Sequence, residues 1–501
     1  MDQDRRSFLR SAGYVSAATV AATLATRTSA AAQAVGDTGK LSELNRLNAT
    51  ELAFRIARRE VSPVEVINAA LTRLEATQPA LNAFVAIDAD GALRAARAAE
   101  MAVMRGSVLG PLHGVPVSVK DLIDVAGLPA RYGSLTMKDN VARVDAPSVE
   151  RLRRAGAIIL GKTATPEFGY QGITKSLVHG VTHNPWNLAL TPGGSSGGAV
   201  ASVAAGVTPI AIGTDGGGSL RNPASLTGLV AIKPNFARVP VWPAGVNPML
   251  LHVGPIARTV ADAALVLGVI AGLDRRDPFS LLEPIGREPD RETARTLRVA
   301  FSPTLGRSEV DAPVERVVSV AIERLKSVFP SLAIVGDDFP DFSEIHRAIF
   351  FAGLSARFGD LVDTSAELID PPLLAAIRRF REMNVDTYTR LLRRQFEFRE
   401  TLRLFFERYD LLLTPMMPSV AWDIEKTLPP GHTDIGYFAR PFNHTGQPAA
   451  SIPCGLTPDN LPVGIQVVTR LGDEATLVSA IRVIEATLDT RPMTPIEIVR
   501  G

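Results

Sequence analysis

Cysteine is almost absent from this sequence, and its charges are balanced. Cys454 is the only cysteine in 501 residues, so no intramolecular disulfide can form and a disulfide framework is excluded. Lysine and arginine total 53 against 52 acidic residues, a net charge of +1, so bulk charge offers nothing that attracts nucleic acid. The seven histidines have no tight ligand spacing with cysteine or carboxylates. We therefore expect no metal, no cofactor and no nucleic-acid partner.

Long apolar runs are also missing, except near the amino terminus. Residues 4–10 (DRRSFLR) carry a twin arginine followed by Phe-Leu, and residues 11–26 are uncharged and rich in alanine. This pattern resembles a twin-arginine export signal, and it is too short and too weakly apolar to span a bilayer. We predict that residues 1–34 are a signal peptide removed by cleavage after Ala34, at an A-x-A site, which makes 35–501 a periplasmic or secreted domain with no membrane span. The alternative is a disordered cytosolic tail.

Glycine, by contrast, is concentrated in two runs that also contain serine. In residues 213–221 (GTDGGGSLR), three glycines precede Ser219, so successive backbone N–H groups can converge on a developing oxyanion. In residues 191–198 (TPGGSSGG), two hydroxyls lie between glycine pairs, where the chain can bend and bring Ser195 close to another segment. The two runs predict a serine nucleophile, its own oxyanion site and a proton relay between hydroxyls.

A serine relay needs a base, and the best candidate is Lys120. The segment 112–123 (LHGVPVSVKDLI) reads as a buried strand that ends in this lysine. An ammonium group among valine, leucine and isoleucine is poorly solvated, so its pKa should fall and a neutral amine can accept a proton.

The lysine, the glycine-flanked serine pair and the GGGS run, in this order, resemble the amidase signature family of serine hydrolases. Other segments match the family as well, and the resemblance covers the chain from about residue 41 to about residue 487. Among these segments are 184–187 (NPWN), 228–234 (GLVAIKP) and 461–466 (LPVGIQ).

The resemblance implies a role for each motif residue. Ser219 is implied as the nucleophile, Ser195 as the serine that follows a cis peptide bond, and Lys120 as the base. Many family members carry threonine or isoleucine at the position of Gly216. The implied oxyanion hole is made by the backbone N–H groups of Gly216, Gly217, Gly218 and Ser219. Asp215 and Arg221 are expected either to fix this loop by pairing or to lie on the surface, and Ser196 is expected to bond local backbone.

The implied reaction is amide hydrolysis through an acyl-enzyme. Neutral Lys120 takes a proton from Ser195, Ser195 takes one from Ser219, and Ser219 attacks the carbonyl carbon. Ser195 then returns the proton to the leaving nitrogen, and water frees the acid. The expected partner is a small-molecule amide that yields a carboxylic acid and ammonia or an amine.

Three other functions stay open as alternatives. The first is a role like that of the catalytic subunit that releases ammonia for tRNA-dependent amidation, and another is an inactive relative that binds amides. The third is an exported esterase, because residues 193–197 match the G-x-S-x-G elbow with Ser195 as nucleophile, although Pro192 stands where a strand should end. Its candidate bases are His252, His346, His432 and His444.

Residues 156–163 (GAIILGKT) match a phosphate-binding loop, but the middle is strand-like and we interpret it as a core strand.

The remaining patterns predict an α/β fold, and the resemblance implies one large domain with a mixed, twisted β-sheet covered by helices on both faces. We predict strands at 115–119, 157–160, 210–213 and 229–232, and helices at 49–59, 63–77, 148–155, 197–205 and 260–272. Residues from about 309 to about 409 form a helix-rich insertion in which we expect specificity to reside. Arg378, Arg379, Phe380 and Arg381 line a pocket for an acidic or aromatic substrate or, as the favoured alternative, form a solvated helix face. The oligomeric state stays open, with a homodimer among the possibilities.

Overall fold

The computed structural model describes residues 43–306, 309–336 and 339–489, so the predicted signal peptide lies outside the described residues. The described strands are β1 (Phe84–Ile87), β2 (Pro116–Lys120), β3 (Ile158–Thr163), β4 (Lys175–Ser176), β5 (Gly180–Val181), β6 (Ile210–Asp215), β7 (Val230–Lys233), β8 (His252–Ala257), β9 (Val299–Phe301), β10 (Ala333–Ile334), β11 (Leu411–Pro415), β12 (Ala449–Leu456) and β13 (Pro462–Thr469).

The described α-helices surround these strands along the chain. They are α1 (Ala49–Ala57), α2 (Pro63–Leu81), α3 (Ala89–Met104), α4 (Pro147–Arg154), α5 (Gly197–Ala204), α6 (Arg221–Thr227), α7 (Val260–Ile270), α8 (Arg291–Arg295), α9 (Ala312–Lys326), α10 (Ser343–Thr364), α11 (Pro371–Arg381), α12 (Val385–Arg408), α13 (Arg440–His444) and α14 (Glu474–Leu488). Within the described ranges, no helix is long and apolar enough to cross a membrane.

Eleven strands form one mixed sheet in the order β1-β3-β2-β6-β8-β7-β12-β13-β11-β9-β10, and β4 pairs with β5 in a separate hairpin. Strands β3, β2 and β6 run parallel to one another, as do β11, β9 and β10, whereas the central strands pair antiparallel. The fold is therefore a single α/β domain with a large mixed sheet, as predicted.

Helices cover both faces of this sheet because alternate residues of a strand point to opposite sides. In β6, Ile210 and Ile212 join the core cluster that also contains residues of α1, α4, α7, α9 and α14. Between them, Ala211 packs on the opposite face with residues of α5 and α6. Near the other end of the sheet, Leu412 of β11 packs with α12 and α13 while its neighbours in the strand face the first cluster.

Most of the predicted elements are confirmed with shifted ends. The four predicted strands correspond to β2, β3, β6 and β7, and the five predicted helices to α1, α2, α4, α5 and α7. Strand β8 is not predicted by the sequence because Gly254 and Pro255 interrupt its apolar run, yet both residues are buried in the sheet. Residues 312–408 contain the four helices α9 to α12 and the short strand β10.

The sheet topology brings two strand ends to one place. Strand β2 pairs parallel with β6, with Val119 opposite Ile212. The carboxyl ends of these two strands therefore lie at the same edge of the sheet. Lys120 ends β2 and Asp215 ends β6. The glycine-rich loop after β6 therefore begins beside the lysine.

Candidate active site

Lys120 is fully buried and surrounded by hydroxyl groups. Its Nζ lies 2.7 Å from Ser195 Oγ, 2.9 Å from Ser196 Oγ and 2.9 Å from Thr214 Oγ1. Burial lowers the pKa of Lys120 well below its ordinary value, and the negative charge of Asp215 opposes this shift only in part. A neutral amine in this position donates two hydrogen bonds and accepts a third, so it can take a proton from one of the hydroxyls.

Ser195 lies in the loop just before α5, and the Gly194–Ser195 peptide bond is cis, as the resemblance implies. A Cβ at Gly194 would lie 2.7 Å from the carbonyl oxygen of Ile173, so only glycine fits there. Ser196 ties this loop to the other glycine run, because its backbone N–H donates to the Ser219 carbonyl at 3.2 Å. Its hydroxyl also donates to the Thr214 carbonyl at 3.2 Å, in agreement with the expected local backbone bond.

The predicted pairing of Asp215 with Arg221 is present and fully buried. Arg221 Nε donates to Asp215 Oδ2 at 2.9 Å and its Nη2 donates to Oδ1 at 3.0 Å. Burial alone would raise the pKa of Asp215, but the charge and hydrogen bonds of Arg221 outweigh it and hold this pKa far below its usual range. The carboxylate also accepts the backbone N–H of Gly218 at 2.7 Å and that of Leu220 at 3.3 Å, so it fixes the loop on both sides of Ser219.

The four backbone N–H groups of the predicted oxyanion site differ in their hydrogen bonding. The N–H of Gly218 is engaged by Asp215, so it is not available to a substrate oxygen. In the described part of the chain, the N–H groups of Gly216, Gly217 and Ser219 have no hydrogen-bond acceptor. Three of the four predicted donors therefore have no acceptor among the described residues, and the oxyanion site itself stays a prediction.

Two partners of the ion pair were not singled out from the sequence as site residues. Asn443 accepts a hydrogen bond from Arg221 Nη2 at 2.7 Å, and its Nδ2 donates to Asp215 Oδ1 at 2.9 Å. Gln466 Oε1 accepts from Arg221 Nη1 at 2.7 Å. Gln466 belongs to the segment 461–466 that resembles the family, and Asn443 to a further matching segment, 442–443 (FN). This resemblance is the one signal by which the sequence could have indicated them.

Ser195 and Ser219 open into a cavity of about 180 Å³. Residues on one face of helix α10 form one wall of this cavity. Further aromatic side chains come from the segments outside that helix. The aromatic and histidine residues that line the cavity are Tyr132, Phe168, Tyr170, Trp242, His346, Phe350 and Phe358. Arg357 and Arg440 also lie at its wall. The cavity is partly open to solvent, and its lining combines these rings with polar groups.

The alternatives based on other motifs are not supported by their structural context. Ser195 does not follow a strand, so the nucleophile elbow is missing. Lys162, of the proposed phosphate loop, is buried in β3 with its Nζ 3.3 Å from Asp121 Oδ1, which leaves no loop to hold a phosphate. Among the described residues, no three His, Cys, Asp or Glu side chains are grouped closely enough to hold a metal ion.

The arginines of α11 form a solvated helix face, which is the favoured of the two sequence predictions for them. Arg378, Arg379 and Arg381 are exposed, and Arg381 pairs with Asp363 at the surface. None of them lines the cavity at Ser219. Of the four candidate histidines of the esterase alternative, His346 alone is a lining residue of that cavity.

Comparison with known proteins identifies the family. The family model described as Amidase matches residues 65–478. An acylamidase from Rhodococcus erythropolis is 36% identical over 441 residues, which cover 85% of this chain and 92% of the relative. A glutamyl-tRNA(Gln) amidotransferase subunit from Anaeromyxobacter sp. (strain K) is 36% identical over 486 residues, 90% of this chain and 98% of the relative.

Solved structures agree with this assignment. A bacterial aryl acylamidase of the amidase signature enzymes superposes with a TM-score of 0.83 at 27% identity and covers 90% of this chain and 99% of its own. The chain therefore belongs to the amidase signature family and is a hydrolase of amide carbon–nitrogen bonds.

Proposed function

We propose that Ser219 is the nucleophile, Ser195 the relay and Lys120 the base of an acyl-enzyme mechanism. The proton of Ser219 passes to Ser195 as the proton of Ser195 passes to Lys120 Nζ, and Ser219 Oγ bonds to the amide carbon. When the tetrahedral species collapses, the proton returns through Ser195 to the leaving nitrogen. Water then attacks the ester along the same relay and releases the acid.

The observation that carries this proposal is the setting of Lys120. It is fully buried and its Nζ lies 2.7 Å from Ser195 Oγ. Ser195 and Ser219 line the same cavity, so one substrate can reach both hydroxyls. The N–H groups of Gly216, Gly217 and Ser219 would stabilise the oxyanion, and each such donor is worth about 3 kcal/mol in the barrier.

We propose a small-molecule amide as the substrate, with an aromatic or bulky apolar group in the cavity. The support is the aromatic lining of the cavity at Tyr132, Trp242 and Phe350. The names of the acylamidase and of the aryl acylamidase structure agree with such a substrate. A substrate of this kind needs no nucleic-acid partner, and the balanced charge of the chain supports that.

We also propose that residues 1–34 direct export and that the mature enzyme acts in the periplasm or outside the cell. The support is the order of twin arginine, apolar stretch and A-x-A site in the sequence. Amino-terminal sequencing of the enzyme from the periplasm of its host tests this, and a new terminus after Ala34 is expected. Light scattering of the same sample separates a monomer from a homodimer.

The second candidate function is ammonia release for tRNA-dependent amidation, because the amidotransferase relative is 36% identical over most of this chain. A glutamine-hydrolysing enzyme would release ammonia from free glutamine and leave anilides untouched. The aromatic cavity favours the opposite selectivity. Rates on glutamine and on 4-nitroacetanilide, measured side by side, separate the two functions.

Mapping of a fluorophosphonate adduct by mass spectrometry tests the proposed mechanism, because the reagent labels an activated serine. We expect the adduct on Ser219, and no adduct in Ser219→Ala. An adduct on Ser195 in the wild-type enzyme would overturn the assignment of the nucleophile. An exposed-serine variant, Ser327→Ala, serves as the control that must label like the wild type.

A further inference from the structure

The ring of His346 packs directly on the glycine loop that precedes Ser219. A Cβ placed on Gly217 would lie 2.6 Å from His346 Cε1 and 2.8 Å from its Nε2. The bare backbone of Gly217 is therefore what allows this edge of the imidazole to reach the loop. His346 lies on α10, lines the same cavity as Ser219, and stacks on Phe350 with ring centroids 5.6 Å apart.

The other ring nitrogen fixes where the proton of His346 lies. His346 Nδ1 and His444 Nε2 are 3.2 Å apart, so one of them donates to the other. His444 Nδ1 is buried and has no hydrogen-bond partner among the described residues. A buried N–H without an acceptor is rare and costly, so the proton of His444 belongs on Nε2. His444 then donates to His346 Nδ1, which leaves the proton of His346 on Nε2.

Burial disfavours the charged form of both rings. Burial lowers the pKa of His444 to about 3, with help from the charges of Arg440 and Arg399. Burial also lowers the pKa of His346 well below its ordinary value, and Arg440 and His444 add to the effect. A neutral imidazole with its proton on Nε2 is a fixed hydrogen-bond donor that does not titrate during turnover.

We propose that His346 Nε2–H donates a hydrogen bond to the substrate carbonyl oxygen as it becomes an oxyanion, beside the N–H groups of Gly216 and Gly217. The inference rests on the proposed function of Ser219. No proton is transferred in this step, because the histidine keeps its hydrogen throughout. The side-chain donor supplements a loop in which the N–H of Gly218 is already engaged by Asp215.

The bond should be stronger in the tetrahedral state than in the ground state, because negative charge develops on the oxygen beside a fixed donor. His444 is then a positioning residue, since it acts only by holding the tautomer of His346. Because the donor acts on the transition state, its loss should appear in the rate of reaction at Ser219 rather than in the binding of the reagent.

The test uses fluorophosphonate labelling of the full chain, in which the phosphonyl oxygen occupies the oxyanion position. We compare the limiting rate of labelling and the half-saturating reagent concentration for wild type, His346→Phe and His346→Gln. His346→Phe should lower the limiting rate about 10²–10³-fold, the usual cost of one oxyanion donor, with the half-saturating concentration within about threefold. His346→Gln keeps an amide N–H within reach and should recover part of the rate.

Controls keep the result interpretable. His183→Phe alters a histidine that lies outside the cavity lining and bonds the Leu188 carbonyl, and it should label like the wild type. His444→Asn should slow labelling less than His346→Phe, and the two losses should not add. Thermal unfolding midpoints identify any variant that has lost its fold. If His346→Phe is such a variant, the limiting rate of labelling of His346→Gln is compared with that of His183→Phe instead.

Two outcomes would overturn the inference. Wild-type labelling rates in folded His346→Phe would show that the histidine donates nothing, and a loss confined to the half-saturating concentration would make it a binding residue only. The proposed function fails separately, because its failure would appear as adduct formation that survives Ser219→Ala.

Discussion

The carboxyl edge of the sheet and the helical wall opposite it are built in different ways. At the edge, Arg221 is fully buried and each of its nitrogens is bonded, to Asp215, Asn443, Gln466 and the Ala439 carbonyl. On α10, the cavity-facing side chains are aromatic or singly hydrogen-bonded and are held by stacking, as between Phe168 and Phe358 at 3.9 Å.

This difference in construction suggests that the sheet edge holds the reacting groups in place, whereas the helical wall mainly sets substrate selectivity. A saturated buried ion pair holds one loop geometry, because breaking any of its bonds leaves an unpaired charge. A wall of packed rings changes shape with one substitution and can leave the reacting groups untouched. We therefore expect substitutions at the sheet edge to remove activity and substitutions of the phenylalanines on the wall to change which amides are hydrolysed. His346 is the exception on α10, because it contacts the glycine loop before Ser219.

The largest effect is expected at Lys120. Lys120→Met keeps most of the side-chain volume but removes the base, so the limiting rate of Ser219 labelling should fall about 10³-fold or more. Stopped-flow labelling with a fluorophosphonate measures the loss. An unchanged rate would mean that another group takes the proton of Ser195.

The same lysine sets the pH dependence. In the folded enzyme, the pKa of Lys120 lies well below the value of about 10.4 that it has in the unfolded chain. Labelling should therefore slow as pH falls through the folded pKa, because the amine becomes protonated. Between the two pKa values the unfolded chain binds the extra proton, so the free energy of unfolding should rise with pH there, relative to Lys120→Met. A flat difference between the two proteins would contradict a depressed lysine pKa.

Asp215→Asn comes next, and its effect is on stability as well as on rate. The substitution leaves the buried guanidinium of Arg221 without its counter-charge, at an expected cost of about 3–5 kcal/mol in the free energy of unfolding. Urea denaturation measures the loss. The matched control is Glu400→Gln on α12, which breaks an exposed ion pair with Arg403 and should leave the free energy of unfolding nearly unchanged. Equal costs at the two sites would remove the contrast between the regions.

Gly216 connects the two regions and should affect selectivity. A Cβ at this position would meet its nearest neighbour, Phe350 Cε2, only at 3.9 Å, so there is room for a side chain that points at the wall. Gly216→Val should fill this room and lower kcat/KM for a benzoyl amide about 10–100-fold relative to an acetyl amide, the usual value of a lost apolar fit. Gly216→Ala adds one methyl group and should change the ratio little. If Gly216→Val slowed both amides equally, the gap would not be part of the substrate site.

The sequence predicts the residues that stand in local patterns, but not the contacts between distant segments. Lys120, Ser195 and Ser219 could be predicted because each stands in a short local pattern, an apolar strand or a glycine run, whose conformation the neighbouring residues decide. The α/β fold could be predicted for the same reason. Strand β8 could not, because glycine and proline interrupt its apolar pattern.

The contacts between distant segments could not be predicted. His346 stands in an ordinary helix, and its role depends on the packing of α10 against a loop 129 residues away in number, which Gly217 alone makes possible. The engagement of the Gly218 N–H follows from the rotamer of Asp215, which Arg221 and Asn443 fix. Such contacts come from tertiary packing, and no pattern within a single segment contains them.

The smallest effect is expected on α11, and it tests the boundary of the helical wall. Arg379 is exposed and belongs to a surface groove apart from the cavity, where its guanidinium lies 5.6 Å from the centre of the Phe380 ring. Arg379→Ala should therefore change neither the rate on 4-nitroacetanilide nor the ratio of rates for neutral and carboxylate-bearing amides, since exposed charges are largely screened at physiological salt. If the variant selectively lost the acidic substrates at low salt, the arginines of α11 would be steering anionic amides to the cavity, and selectivity would extend beyond the wall that α10 forms.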